Sequence, residues 1–148
     1  MSEPLYLAVT TKLNFSPCNG CRKCSLRCSS EVPFAPTEWA AVSRHIETLS
    51  GDELEALRRV EHQDKTVDLG DGVTVAMCRY FDMETESCMI YSVRPLMCRL
   101  MGHVEWMPCP IDKVERVLPT AEALHLMEAY AGEMRQPASE WILESQSA

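Results

Sequence analysis

The sequence predicts a small, cysteine-rich α+β domain with several helices and one or two short β-hairpins, and three observations lead there. Apolar residues recur at spacings of three and four in windows that open on capping residues, the mark of amphipathic helices. Shorter windows alternate apolar with polar residues around glycine, the mark of hairpins. Eight cysteines stand among 148 residues, four of them within Cys18-Asn-Gly-Cys21-Arg-Lys-Cys24-Ser-Leu-Arg-Cys28. That length suits one domain over residues 1–148, with its core over about residues 5–135.

Leu5 to Val9 is apolar and partly β-branched, which predicts a short strand leading into the first cysteines. Pro17 restrains the residue before it, and Gly20 offers the positive φ that a backbone wrapping a metal often needs. Successive sulfurs of the run then fall on one side of a tight loop or helical turn. Beyond Pro33 and Pro36, Thr37 caps a helix from Glu38 to Leu49 that buries Trp39, Val42, Ile46 and Leu49. Ser50-Gly51-Asp52-Glu53 is a capping box for a second helix to about Glu61, burying Leu54, Leu57 and Val60. Together they make a helical hairpin.

Thr66 to Leu69 and Val73 to Met77 alternate around Gly70-Asp71-Gly72 and predict a β-hairpin ending at Cys78. A polar turn then leads to a strand from Cys88 to Tyr91, so that Cys78 and Cys88 face each other across a second hairpin. Ser92 caps a third helix with Pro95 in its first turn and Gly102 as its stop, which places Cys98 on a rigid element. His103 to Pro110 reads as a loop carrying Cys109 between two prolines. Thr120 caps a helix to Arg135 with a stripe of Leu124, Met127, Ala131 and Met134, which reads as core packing and not as a cofactor surface. Glu140 to Leu143 docks as a short turn before a frayed tail.

Composition narrows the function. Hydrophobic residues make up 46% and charged residues 24%, the balance of a globular chain. Acidic residues outnumber Lys and Arg by 22 to 14, a formal charge of -8, which argues against nucleic-acid binding. Arg22, Lys23 and Arg27 read as partners of nearby thiolates. Residues 1–15 have neither the basic start nor the apolar core of a signal peptide, and no stretch reaches the roughly 18 apolar residues of a membrane span. A cytoplasmic protein is expected, without membrane contact, and in that reducing compartment eight cysteines point to metal.

Cys18, Cys21, Cys24, Cys28, Cys78, Cys88, Cys98 and Cys109 are the candidate metal ligands, enough for one or two centres. Thiolate quartets suit zinc or an iron–sulfur cluster. Zinc sites usually take paired cysteines from separate knuckles, whereas the run C-x2-C-x2-C-x3-C matches the bacterial ferredoxin spacing, which favours [4Fe–4S] over zinc. On that analogy one of Cys78, Cys88, Cys98 or Cys109 completes the set of Cys18, Cys21 and Cys24, while Cys28 joins the others. Ferredoxins carry proline after the fourth cysteine, where this chain has Ser29. Cys88 or Cys109 taken singly could serve as a small buried hydrophobe. His103 is the histidine to weigh as a ligand or a donor to one, although a hydrogen-bonded loop histidine is the commoner case. His45, His62 and His125 read as surface or helix-boundary residues, and the acidic side chains as solvated helix faces.

The ordered series Cys18-x-x-Cys21-x-x-Cys24, Thr37-Glu38, Cys78-Arg-Tyr-Phe81, Cys88-Met-Ile-Tyr91, Arg94-Pro95 and Cys98-Arg99 resembles the YkgJ family of cysteine-cluster proteins, the zinc- or iron-chelating CxxCxxCC domain, over roughly residues 15–110. Ser25 departs from the family's double cysteine, and Cys28 restores a thiol one helical turn later. Some members of the wider family are similar to part of flagellin lysine N-methylase, which is associated with an iron–sulfur cluster. Methyl transfer is not carried over, since no S-adenosylmethionine-binding signature is present. The resemblance implies a metal-binding protein with an electron-transfer or protein-modifying role, acting on or with a protein partner. The alternatives are a zinc-stabilised interaction module without catalysis, and a redox or nucleophilic enzyme using a free cysteine. No P-loop, dinucleotide fingerprint or Ser-His-Asp set assigns an enzyme class.

Overall fold

The computed structural model describes residues 4–13, 15, 18, 21, 28, 32–114 and 117–147, the side chains of residues 6, 10, 11 and 147 excepted. The expected strand at Leu5 to Val9 is instead a helical turn, α1 (Leu5–Ala8), continued by a 3-10 turn over Val9–Lys12. Pro4 opens it, with its carbonyl accepting from the Leu7 and Ala8 N–H groups at 3.0 Å. Leu and Ala are good helix formers, and one β-branched residue does not outweigh them. Val9 is fully buried, so the turn still delivers the apolar contact that the sequence promised.

The helical hairpin forms as α2 (Pro36–Glu47) and α3 (Gly51–Glu61). Pro36, and not Thr37, opens α2, since its fixed φ suits the first helical position and its missing N–H would have had no partner there. The Glu38 carboxylate closes the end instead, accepting the Ala35 N–H at 2.8 Å. Ser50 and Glu53 cap α3 reciprocally, at 3.2 and 3.1 Å, as expected of the capping box.

Three antiparallel hairpins follow among the described residues, where one or two were expected: β1 (Thr66–Gly70) with β2 (Val73–Ala76), β3 (Phe81–Asp82) with β4 (Ser87–Cys88), and β5 (His103–Val104) with β6 (Met107–Pro108). The first turns through Gly70, Asp71 and Gly72, all at positive φ, which glycine accepts without strain. In the second, Cys88 pairs with Phe81, so Cys78 and Cys88 are not direct partners across it. The third replaces the expected loop around Cys109. Between the last two, a 3-10 turn at Tyr91–Val93 precedes α4 (Leu96–Leu100), which starts after Pro95 and not at Ser92. Helix α4 ends where Met101 turns extended, and Gly102, at φ 86, follows it with its N–H donating to the Met107 carbonyl at 2.7 Å and not back to the helix.

Helix α5 (Thr120–Ala131) starts after Pro119 and buries Ala123, Leu126 and Tyr130, whereas Leu124 and Met134 are exposed. The apolar stripe is therefore rotated by about one residue from the expected one, with only Met127 common to both. The C-terminal turn and frayed tail are replaced by a helix, α6 (Ala138–Ser147), held by Trp141 Nε1 donating to the Phe34 carbonyl at 3.0 Å. No helix among the described residues is long and apolar enough to cross a membrane.

Among the described residues, two apolar clusters make the core. One gathers Val9, Leu96, Leu100, Val104, Leu126 and Tyr130; the other gathers Phe34, Val42, Leu57, Tyr80 and Ile90, with Cys78 and Cys88 packed against it. Glu38 is a solvent-shielded carboxylate, 2% exposed, and not the solvated helix residue expected. Besides Ala35 it accepts the Leu96 N–H at 2.6 Å and the Tyr130 hydroxyl at 2.7 Å. One side chain thus joins α2 and α5 to the start of α4, the helix that carries Cys98.

Candidate metal centre

The seven described thiols fall into two neighbourhoods. The core group is Cys28, Cys78, Cys88 and Cys98. Cys78 leaves the first hairpin just after β2, and its N–H donates to the Cys28 carbonyl at 2.7 Å, which ties the end of the N-terminal run to the middle of the chain. Cys88 lies on β4 and Cys98 within α4. As a residue Cys98 is only half-buried, but its thiol is the shielded part. Burial pushes its pKa far up, and the nearby Cys88, Cys78 and Cys28 push it further, against the opposing charge of Arg94. Burial raises Cys88 to about 11, with Cys78 adding to the rise. Thiols in such surroundings keep their protons at neutral pH unless a cation takes their place.

The loop group is Cys18, Cys21 and Cys109, with His103 beside them. Burial raises the Cys18 thiol, and the neighbouring Cys109 and Cys21 raise it further. The Cys18 N–H donates to the Phe15 carbonyl at 2.8 Å and the Cys21 N–H to the Cys18 carbonyl at 2.9 Å, a tight turn that keeps the two cysteines close. Cys109 follows β6 and behaves in the opposite sense. Its slight burial acts upward, but the backbone N–H groups of Lys113, Ile111, Val114 and Asp112 turn towards the sulfur and bring its pKa below the ordinary thiol value. The Lys113 N–H lies 3.5 Å from it. A ring of amides around a sulfur favours the thiolate, the form that binds metal.

His103 is 1% exposed on β5. Its Nε2 lies 3.5 Å from Cys18 Sγ, and the edge of its ring meets Phe15 with centroids 4.8 Å apart. Its Nδ1 is buried with no hydrogen-bond partner among the described residues. Burial first, and then Arg94, lower its pKa and keep the ring neutral.

Arg94 acts on both groups. Its guanidinium lies 3.8 Å from the centre of the Tyr91 ring and donates to the Tyr91 and Cys98 carbonyls at 3.0 and 3.4 Å. Its charge reaches Cys18, Cys88 and Cys98. Sequence reading gave Arg94 no role, although the Arg94-Pro95 pair ahead of Cys98 was the signal available.

Cys24, Gly20, Pro17, Arg22, Lys23, Arg27, Ser25 and Ser29 lie outside the described residues. Among the described ones there is no disulfide, and no three Cys, His, Asp or Glu side chains stand at metal-binding distance. The donor chemistry nevertheless suits a soft or borderline cation: grouped thiols, amides aimed at sulfur, and an orphaned buried imidazole nitrogen. Cys109 is only partly buried, and backbone amides turn towards its sulfur. Cys88 packs against the apolar core but shares its surroundings with the thiols of Cys78 and Cys98.

The model of one protein family, described as "CxxCxxCC: Putative zinc- or iron-chelating domain", matches residues 17–125, well over half of the chain. No curated protein and no solved structure matches it.

Proposed function

The chain belongs to the CxxCxxCC family of zinc- or iron-chelating domains, and from that premise we propose that its eight cysteines hold two metal centres with interleaved ligands. Cys28, Cys78, Cys88 and Cys98 bind one. Cys18, Cys21 and Cys109 bind the other, with Cys24 assigned to it on spacing alone. The observation that carries this reading is the position of Cys28: by sequence it ends the first run, yet it neighbours Cys78 and Cys98. A ferredoxin-like run shares its cysteines in the same way, and this favours an iron–sulfur cluster, [4Fe–4S], at the all-thiol core group. When bound, such a cluster supplies one-electron chemistry. The chain's own residues shield the sulfurs, and Arg94 offsets their charge.

The role that follows is electron transfer to, or modification of, a protein partner in the cytoplasm. Zinc is the second reading, favoured by His103 beside Cys18, because an imidazole among thiolates is a common zinc ligand set. Iron, zinc and acid-labile sulfide counted per chain on anaerobically purified protein test the choice. Iron and sulfide in equal number, with brown absorbance near about 400 nm, support the cluster. Zinc without sulfide moves the assignment to the second reading, and no bound metal refutes both.

A further inference from the structure

We propose that His103 is itself a metal ligand, binding through Nε2 alongside Cys18, Cys21 and Cys109 in the fourth position that spacing alone gave to Cys24, so that the loop centre is a mixed nitrogen–sulfur site for a borderline cation of the zinc type. This rests on the metal-binding reading above and adds a donor that the cysteine signature does not contain.

Three observations converge on it. The 3.5 Å between Nε2 and Cys18 Sγ is the separation of two ligands on one tetrahedral ion, since metal–sulfur and metal–nitrogen bonds of about 2.3 and 2.05 Å place their far ends roughly 3.5 Å apart. The imidazole is almost wholly buried, and its Nδ1 meets no hydrogen-bond partner among the described residues. The contact with Cys18 at Nε2 is a weak sulfur contact that poorly offsets this burial, and an ion bound at Nε2 would put a strong bond in its place. The ring is also held in place before any ion arrives. Strand β5 fixes its backbone, with the His103 carbonyl accepting the Leu118 N–H at 2.7 Å, while Phe15 braces its edge from the segment leading to Cys18. Binding at Nε2 puts the ring proton on Nδ1 and displaces the thiol protons to solvent.

The contrast with the core group is chemical. That group has four thiols and no imidazole, so two kinds of ion could be sorted within one small domain by donor type. Of the other histidines, His62 is exposed and bonds back to the Arg58 carbonyl, His125 is exposed on α5, and His45 lies in the last turn of α2.

The test is nuclear magnetic resonance of the full 148-residue chain, reduced, labelled with nitrogen-15 and loaded with cadmium-113. The expected result is one cadmium resonance with scalar coupling to an imidazole nitrogen of His103, and a second resonance without any. The His103→Gln chain should lose that coupling and keep the second resonance. Bound cadmium with no coupling to His103 in the unmodified chain overturns the proposal and leaves the ring as a hydrogen-bond donor to Cys18; this outcome is readable even if the variant fails to fold. A chain that takes up no cadmium defeats the metal-binding reading itself, and this proposal with it.

Discussion

Cys88 and Cys98 of the core group and Cys109 of the loop group put the same side chain to opposite electrostatic effect. In the core group, apolar packing surrounds the sulfurs, and burial raises Cys88 to about 11 and Cys98 further. In the loop group, Cys109 sits in a turn whose amides draw it below the ordinary thiol value. The difference teaches that a thiol can be prepared for metal in two ways. Amides can stabilise the thiolate in advance, or the thiolate can be left so unfavourable that only a cation makes the arrangement stable. The second way makes the fold depend on the ion.

Metal removal is the strongest way to break this contrast. Stripping the chain under reducing conditions should withdraw a stabilisation on the order of 10 kcal/mol and loosen the core group first. Hydrogen exchange measures it: amides over residues 78–98 should lose protection, while those of α3 keep theirs. Next in size is Glu38→Ala, which leaves the Ala35 and Leu96 N–H groups and the Tyr130 hydroxyl without their acceptor. A loss of roughly 3 kcal/mol or more in denaturant unfolding is expected, with a lower metal content in which the core centre suffers before the loop centre.

Glu38 also shows where the sequence stops being legible. Its place near the start of α2 could be read as a cap, but its reach to Leu96 and Tyr130 depends on how three helices pack, which no local pattern contains. The capping box at Ser50 and the glycines at 70 and 72 were legible because local chemistry decides them. The β5–β6 hairpin was missed because its turn, Glu105-Trp106, lacks glycine and asparagine, and because Pro108 argues against a strand. The interleaving of the cysteines was open to sequence reasoning as a pattern. Which distant thiol joins Cys18 was not, since Cys109 arrives there only through that missed hairpin.

Alkylation sharpens the contrast directly. In the metal-free chain Cys109 should react with iodoacetamide roughly tenfold or more faster than Cys88 near neutral pH, because its thiolate is favoured while the Cys88 thiol, raised to about 11, keeps its proton, although the lower-pKa thiolate is the weaker nucleophile. Mass spectrometry of timed digests measures the ratio, and equal rates would show that the two environments do not differ. The smallest effect lies beside the core group. Burial acts to raise the Asp82 carboxyl, but hydrogen bonds from Gln63, the Glu84 N–H and Thr85 outweigh it and hold it at about 2. A depressed folded-state value means that this stability is present above about pH 4 and is lost as the pH falls towards 2. The amount is about 1–2 kcal/mol, and Asp82→Asn should flatten that part of the stability profile measured by denaturant titration.

Cys28→Ser is the decisive substitution, because a compact quartet and an interleaved pair of centres predict different losses. The measurement is mass-spectrometric mapping of alkylated cysteines in the metal-loaded variant. Interleaving predicts that Cys78, Cys88 and Cys98 become reactive while Cys18, Cys21 and Cys109 stay protected. Exposure of Cys18 and Cys21, with Cys78, Cys88 and Cys98 still protected, would contradict it.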